Sequence, residues 1–172
     1  MCYYFMYMNL VDLFKKAKII KFGSYTLTSG IQSHYYCDVK EVLGDSVLLR
    51  KVISELVKII PKQATCIAGM GYGGISLASL VAFNLKLPIV MVRDKPREHG
   101  TKKTIDGYIP RNKDVVSVVD DVFTTGSSIR NIKSKLLHTK TKFTKSVVVL
   151  NRSNFANTKE VVSLITDKDI VI

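Results

Sequence analysis

The sequence holds no tryptophan, only four prolines and only three cysteines in 172 residues. Cys2, Cys37 and Cys66 are far apart and odd in number, with no C-x-x-C or Cys/His ligand spacing. That argues against a metal cluster or a disulfide framework and fits a reducing, cytoplasmic setting. No apolar run approaches the ~20 residues of a membrane span. Acidic residues are also scarce: 14 Asp and Glu face 26 Lys and Arg, for a formal charge of +12. Such an excess suits a polyanionic partner, whether nucleic acid, a membrane surface or a phosphorylated substrate. The plainer alternative is a solvated lysine-rich surface, since the lysines are scattered rather than gathered into one block.

Hydrophobic residues are abundant, at 47%, which excludes a disordered tail. A chain of this length reads as one domain able to bury a core. The opening "MCYYFMYM", residues 1–8, is apolar but lacks a basic n-region or a cleavage pattern. It reads as an N-terminal extension, with Met6 or Met8 as alternative starts of translation.

Asn9 can cap a helix through about Ile20, with Leu10, Leu13, Phe14 and Ala17 on one face. Two short β-like runs follow, Ser24–Leu27 and His34–Val39, around the turn signal "TSGIQS". Leu48, Val52, Leu56 and Ile59 predict a helix from Asp45 to Ile60, ended by Pro61. Strands are then expected at Thr65–Gly69, Pro88–Arg93, Val115–Val119 and Ser146–Asn151, with another at Val161–Ile165. Helices are expected at Gly74–Leu85 and Ser127–His138. Nearly continuous β-branched runs indicate strands covered on both faces. The alternation predicts an α/β fold: a doubly wound, mainly parallel sheet flanked by helices. Residues 93–114 break the pattern as a long irregular loop carrying Arg93, Lys95, Arg97, His99, Lys102 and Lys103. Such loops in tightly packed domains are usually functional.

The stretch "VVSVVDDVFTTGSSI", Val115–Ile129, carries the clearest chemistry. In parallel α/β sheets ligands bind beyond the carboxyl ends of strands. Asp120 and Asp121 are expected at such an end. Val122, Phe123, Thr124, Thr125, Gly126, Ser127 and Ser128 then lead to a helix N-terminus. Backbone N–H groups, hydroxyls and a helix dipole there are the ingredients of a phosphate site. Two carboxylates beside a phosphate cradle make sense if the ligand also presents hydroxyls, as a ribose phosphate does. The alternative is that Asp121, Thr124 or Thr125 merely caps the following helix.

This stretch resembles the phosphoribosyl pyrophosphate (PRPP) motif of type I phosphoribosyltransferases. Other segments resemble the orotate phosphoribosyltransferases in particular. "KFGSYTLTSGIQSHYYCDVK", Lys21–Lys40, looks like their orotate-binding segment, and "VRDKPREHGTKKTIDG", Val92–Gly107, like their mobile catalytic loop. "AGMGYGGISLA", Ala68–Ala78, takes the place of their pyrophosphate loop, and "VLNRSN", Val149–Asn154, that of a strand end with an orotate-contacting arginine.

The resemblance implies one phosphoribosyltransferase domain over residues 1–172, with a small N-terminal hood segment within 9–40 and a mobile loop at 93–114. It implies transfer of the 5-phosphoribosyl group from PRPP to orotate, with Mg²⁺ held mainly by PRPP and water, in pyrimidine biosynthesis. PRPP binding is implied for Arg93, Asp94, Arg97, His99 and the Asp120–Ser128 stretch, with Arg97, His99, Asp120 and Asp121 catalytic. Met70, Gly71, Tyr72 and Gly73 match the pyrophosphate loop. Thr124 and Arg152 fall on the orotate side, and an arginine matches a carboxylate bidentately. Tyr35 and Tyr36 could line the base pocket or simply pack in a sheet. A homodimer is also implied, with loop 93–107 reaching the neighbouring subunit's site, and nucleic acid is not expected as a partner.

The chain departs from the family pattern at three positions, where Thr28, Gly73 and Asp94 stand in place of lysines. A carboxylate facing pyrophosphate in a closed site would be repelled by about 4 kcal/mol at 4 Å. Asp94 is therefore expected to point away from the phosphates and pair with a basic neighbour. Two other readings compete. One is a non-catalytic, PRPP-sensing member of the same family. The other is a dinucleotide-binding protein, because Gly69, Gly71 and Gly74 satisfy G-x-G-x-x-G and Asp94 follows Gly74 by twenty positions. The latter leaves the second phosphate loop and the basic loop unexplained.

Overall fold

The computed structural model describes residues 8–26, 32–95, 103–153 and 160–170. Its centre is a sheet of seven strands: β3 (Cys66–Met70), β4 (Ile89–Val92), β5 (Ile105–Gly107), β6 (Val115–Phe123), β7 (Lys142–Phe143), β8 (Ser146–Asn151) and β9 (Val161–Thr166). The order is β5-β4-β3-β6-β8-β9, with β7 beside the start of β6. All pairs are parallel except β4–β5. The mainly parallel α/β sheet expected from the sequence is thus present.

The parallel strands reverse direction of travel across the sheet at one place. From β3 the chain passes through α3 (Gly71–Leu85) to β4 on one side. From β6 it passes through α4 (Ser127–Leu136) to β8 on the other. The β3–β6 seam is therefore the topological switch point, where a crevice opens beyond the strand ends.

Strand alternation divides the core into two layers. Ile67, Val119, Val147 and Val149 face α3, α2 (Ser46–Ile59) and α1 (Leu10–Lys16). Cys66, Ala68, Val116, Val118 and Val148 face Ile129, Ile132 and Leu136 of α4. Because both faces are covered, the strands carry apolar residues at almost every position. At the opposite end of the sheet from the crevice, the buried Asp114 carboxylate ties the start of β6 to its surroundings. It accepts from Arg111 N at 2.7 Å, the Tyr108 hydroxyl at 2.8 Å and the Thr65 hydroxyl at 3.2 Å.

A separate antiparallel hairpin, β1 (Ile20–Thr26) and β2 (Gln32–Cys37), forms the N-terminal hood. A 3-10 turn at Val39–Gly44 links it to α2, which Asp45 caps by accepting from Val47 N and Leu48 N.

Several boundaries differ from the sequence expectation. The first helix stops at Lys16, not Ile20, because Lys18 adopts a left-handed φ of 57°. Ile19 and Ile20 are freed to enter the core, and β1 begins four residues before Ser24. The 93–114 segment is not wholly irregular, because Ile105–Gly107 adds an antiparallel edge strand to β4. The helix after β3 begins at Gly71 rather than Gly74, so the glycine turn is the first turn of α3 itself. Lastly, β6 runs on to Phe123, held by Val122↔Leu150 and Phe123↔Asn151 pairing with β8. Asp120 and Asp121 are therefore inside the strand, not past its end.

Candidate functional site

Both helices at the switch point present bare N-termini to the same crevice. Neither the Met70 cap of α3 nor the Gly126 cap of α4 makes a side-chain capping bond. The Asp121 carboxylate accepts from Val122 N within β6 instead, and the α4 cap position is a glycine with no side-chain oxygen to offer. Each helix adds a partial positive charge at its N-terminus. Gly126 holds φ +75°, a left-handed conformation that favours glycine and turns the chain from β6 into α4. Thr124, Thr125 and Ser127 are exposed around it, and Arg130 Nη1 donates to the Thr125 carbonyl at 2.6 Å.

The carboxylate pair is wedged between these two turns. A β-carbon on Gly74 would lie 2.8 Å from Asp120 Oδ1, and one on Gly73 would collide with the Asp121 carboxylate. Only glycine lets the α3 turn approach the strand so closely. Asp120 is 6% exposed. Its Oδ1 accepts from Asp121 N at 3.0 Å, and the nearby Ser128 side chain partly offsets the upward push on its proton affinity. Burial, and then the adjacent Asp121 charge, push the Asp120 carboxyl up to about 7. Asp121 is half-buried, and its Oδ1 accepts from Val122 N at 2.8 Å. Lys40 sits nearby, its Nζ 2.7 Å from Asp38. The bond to Asp38, with more distant help from Asp121, holds the Lys40 ammonium above its ordinary value.

The structure brings together Met70, Gly71, Tyr72 and Gly73 at the start of α3 with Asp120–Ser128 at the end of β6 and start of α4. Val122 points into the core and Phe123 packs under Gly126. Tyr72 is almost fully exposed, at 92%.

Arg152, just after β8, belongs to a second cluster. Its backbone N donates to the Phe123 carbonyl at 2.8 Å, which sets it beside the Thr124–Ser128 turn. Its guanidinium carbon lies 4.3 Å from the ring centre of Tyr35, and Nη2 donates to Ser33 Oγ at 2.9 Å. Tyr35 and Tyr36 face opposite sides of β2. Tyr35 is buried with Arg152, whereas Tyr36 is 40% exposed and packs on Tyr25 at 5.6 Å. The two tyrosines therefore do not line one pocket together.

Arg93 and Asp94 follow β4. Arg93 Nε lies 2.5 Å from Asp106 Oδ2 on β5. Lys135 Nζ donates to the backbone carbonyls of Arg93 and Asp94, and the Asp94 carboxylate accepts from Asn131 Nδ2 at 3.5 Å. Asp94 thus faces α4, but its carboxylate meets an amide, while the basic neighbour takes its carbonyl. Arg97, His99, Lys102 and Thr28 lie outside the described residues, as does Asn154.

Sequence reasoning missed Asp106, Arg130, Ser33 and Asp167 as neighbours of these groups. Gly74 was noted only for its spacing in a glycine pattern. Among the described residues no group of three or more His, Cys, Asp or Glu side chains could hold a metal, and no helix is long and apolar enough to cross a membrane.

The geometry finds its counterpart among known proteins. The family model "Phosphoribosyl transferase domain" matches residues 45–170. An orotate phosphoribosyltransferase of Methanocaldococcus jannaschii is 30% identical over 168 residues, which cover 94% of this chain and 95% of the relative. The chain belongs to the orotate phosphoribosyltransferase family. The orotate phosphoribosyltransferase of Pyrobaculum islandicum is 40% identical over 121 residues, 70% of this chain but less than two thirds of the relative, at 62%. The crystal structure of orotate phosphoribosyltransferase from Aeropyrum pernix superposes with a TM-score of 0.80 at 27% identity, covering 94% of this chain and 95% of that one. Membership in the orotate phosphoribosyltransferase family accounts for the second turn, Thr124–Ser128, that a dinucleotide fold would leave unused.

Proposed function

We propose that the protein transfers the 5-phosphoribosyl group from PRPP to N1 of orotate, giving orotidine 5'-phosphate and pyrophosphate, a step of de novo pyrimidine biosynthesis in the cytoplasm. The observation that carries this reading is the carboxylate pair of Asp120 and Asp121 set between two uncapped helix N-termini at the switch point. One polyanionic ligand with hydroxyls between two phosphate groups matches that pattern of charge.

The Thr124–Ser128 turn takes the 5-phosphate through its N–H groups and hydroxyls. Asp120 and Asp121 accept from the ribose hydroxyls. The Met70–Gly73 turn takes the pyrophosphate. Loss of pyrophosphate leaves an oxocarbenium-like ribose, so preorganised positive charge on the departing group lowers the barrier. Arg93, Arg97 and His99 supply that charge from the 93–107 loop. Arg93 must leave Asp106 to do so. Both side chains of that pair are partly exposed, so it is worth at most about 1 kcal/mol and exchanges readily for phosphate. Asp94 stays against α4. Arg152 and Thr124 take the orotate side, with Tyr35 beneath the guanidinium and Tyr36 at the hood surface.

The residues present fit Mg²⁺ carried by the substrate. Two adjacent carboxylates are too few for a protein cage, whereas Mg²⁺ keeps waters and binds phosphate oxygens. When bound it neutralises diphosphate charge.

The active form is a homodimer in this reading, with loop 93–107 reaching the neighbouring subunit's site. Support comes from α3, which carries no charged residue from Gly71 to Leu85 although the chain is +12. Tyr72 and Phe83 stand exposed on it, at 92% and 82%. A helix apolar on all sides is normally covered, and on this strip two highly basic chains can meet without opposing lysines. The deciding assay follows orotate absorbance, which should fall only when both PRPP and Mg²⁺ are added. Turnover of adenine or hypoxanthine with orotate untouched would refute the assignment.

A further inference from the structure

We infer that Asp167 is a positioning residue for Arg152, balancing its buried charge without occupying the donors that meet the substrate carboxylate. The inference rests on the orotate reading above and goes beyond it in naming a residue and a role.

The Arg152 side chain is only 9% exposed, and a cation so placed is costly unless a counter-charge is near. Asp167, the first residue of the short C-terminal helix Asp167–Ile170, supplies that charge. Its Oδ1 stands 3.6 Å from Arg152 Nε, which is beyond hydrogen-bond reach. The same oxygen accepts a short bond from the Tyr35 hydroxyl. Among the described residues Arg152 Nε is buried without a hydrogen-bond partner, an arrangement that folded proteins seldom tolerate. A direct bidentate pair with Asp167 would satisfy the guanidinium but consume the fork that recognises a carboxylate.

Three contacts instead fix its plane and leave that fork incompletely used. Tyr35 stacks against one face, Ser33 Oγ takes one Nη2 proton, and Asp167 holds Tyr35 in place. Burial and the bond to Asp167 raise the Tyr35 phenol above its ordinary value, so it stays a donor. The hood hairpin, the end of β8 and the C-terminal helix are thereby joined around one guanidinium.

The test measures initial rates of the full chain and of Asp167→Asn with orotate and PRPP varied separately. Asparagine keeps the acceptor for Tyr35 and removes the charge. The orotate KM should rise about tenfold to a hundredfold, the scale of one charged hydrogen bond, with the PRPP KM and the saturated kcat nearly unchanged. Tyr35→Phe, which keeps the stacked ring but frees Asp167, should move the orotate KM the same way, and it decides the matter if Asp167→Asn does not fold. Uracil, which lacks the carboxylate, serves as a competitive probe. Its inhibition constant should be the same in all three proteins. An unchanged orotate KM overturns the inference. So does a lowered one, which would make Asp167 a competitor, or an equal loss for orotate and uracil, which would make it merely structural. Failure of the wild-type chain to turn over orotate overturns the parent reading as well, whereas an active wild type with unaffected variants overturns the inference alone.

Discussion

Gly73 lies against the carboxylate of Asp121 with no room for a β-carbon between them. The relationship explains why this position cannot carry the lysine that resembles the family pattern without moving Asp121. Gly73→Ala should therefore displace the carboxylate. Overpacking of this kind costs about 1–3 kcal/mol, against a gain of up to about 1 kcal/mol from alanine in a helix. The expected result is a fall in kcat/KM for PRPP of about tenfold or more, with a melting temperature lowered by a few degrees. In Asp121→Ala the further change Gly73→Ala should no longer destabilise, and a double-mutant cycle measures that coupling directly.

Asp121→Asn should weaken PRPP binding and turnover while the fold survives. The side chain is half-buried and faces the crevice, and it makes its own backbone contact to Val122 N, which asparagine can keep. Unchanged PRPP affinity by calorimetry would remove the carboxylate from ribose recognition.

Asp120 makes apo-protein stability depend on pH. Its folded value of about 7 lies well above an ordinary carboxylate's, so the folded state holds this proton more tightly than the unfolded chain does. The contribution is fully present below about pH 4 and is lost as pH rises through about 7. Asp120→Asn removes the ionisation. The melting temperature of the variant should gain on the wild type between about pH 4 and about pH 8, most steeply at about pH 5–6, midway between the unfolded and folded values, and level off above that range. A difference that stays flat across this range would show that the carboxylate is not held protonated.

Asp94 is turned to Asn131 on α4. Asp94→Lys should therefore alter kcat by less than tenfold, or about 1.4 kcal/mol. Arg97→Ala should cost far more if, as proposed, its charge stabilises departing pyrophosphate. Steady-state kinetics of both variants test the assignment, which a large gain from the lysine would reverse.

If the chain forms the proposed homodimer through α3, Tyr72→Ser and Phe83→Ser should shift it towards monomer in sedimentation, since they remove the two exposed aromatic rings of an uncharged helix. Replacing Leu137, also exposed at 71% but at the end of α4, should leave the association unchanged.

Much of this architecture was legible because its signals are local. The valine runs of β6 and β8 announce strands buried on both faces, and the glycine and hydroxyl cluster after β6 announces a turn into a helix. The three-residue β5 carries no alternation to read, since "IDG" is extended only because β4 offers it an edge. The early stop of α1 depends on one left-handed lysine, a conformation its side chain does not advertise. Asp167 escaped notice for a different reason. Its partner Tyr35 is 132 residues away, and nothing around either residue signals the other. The adjacency "YY" at 35 and 36 invited a shared role that strand alternation forbids.

The ring of contacts around Arg152 also bears on when the site comes into being. Ser33 meets Arg152 across 119 residues and Tyr35 meets Asp167 across 132, so each closes more than two thirds of the chain. Loop closure on that scale is paid for before any contact repays it, and distant pairings form slowly. The β3–α3–β4 unit, whose strands are joined by one helix, can assemble without the ends. During refolding, helical signal should therefore return ahead of orotate binding, so that a newly folding chain acquires its Met70–Gly73 turn before it acquires its choice of base.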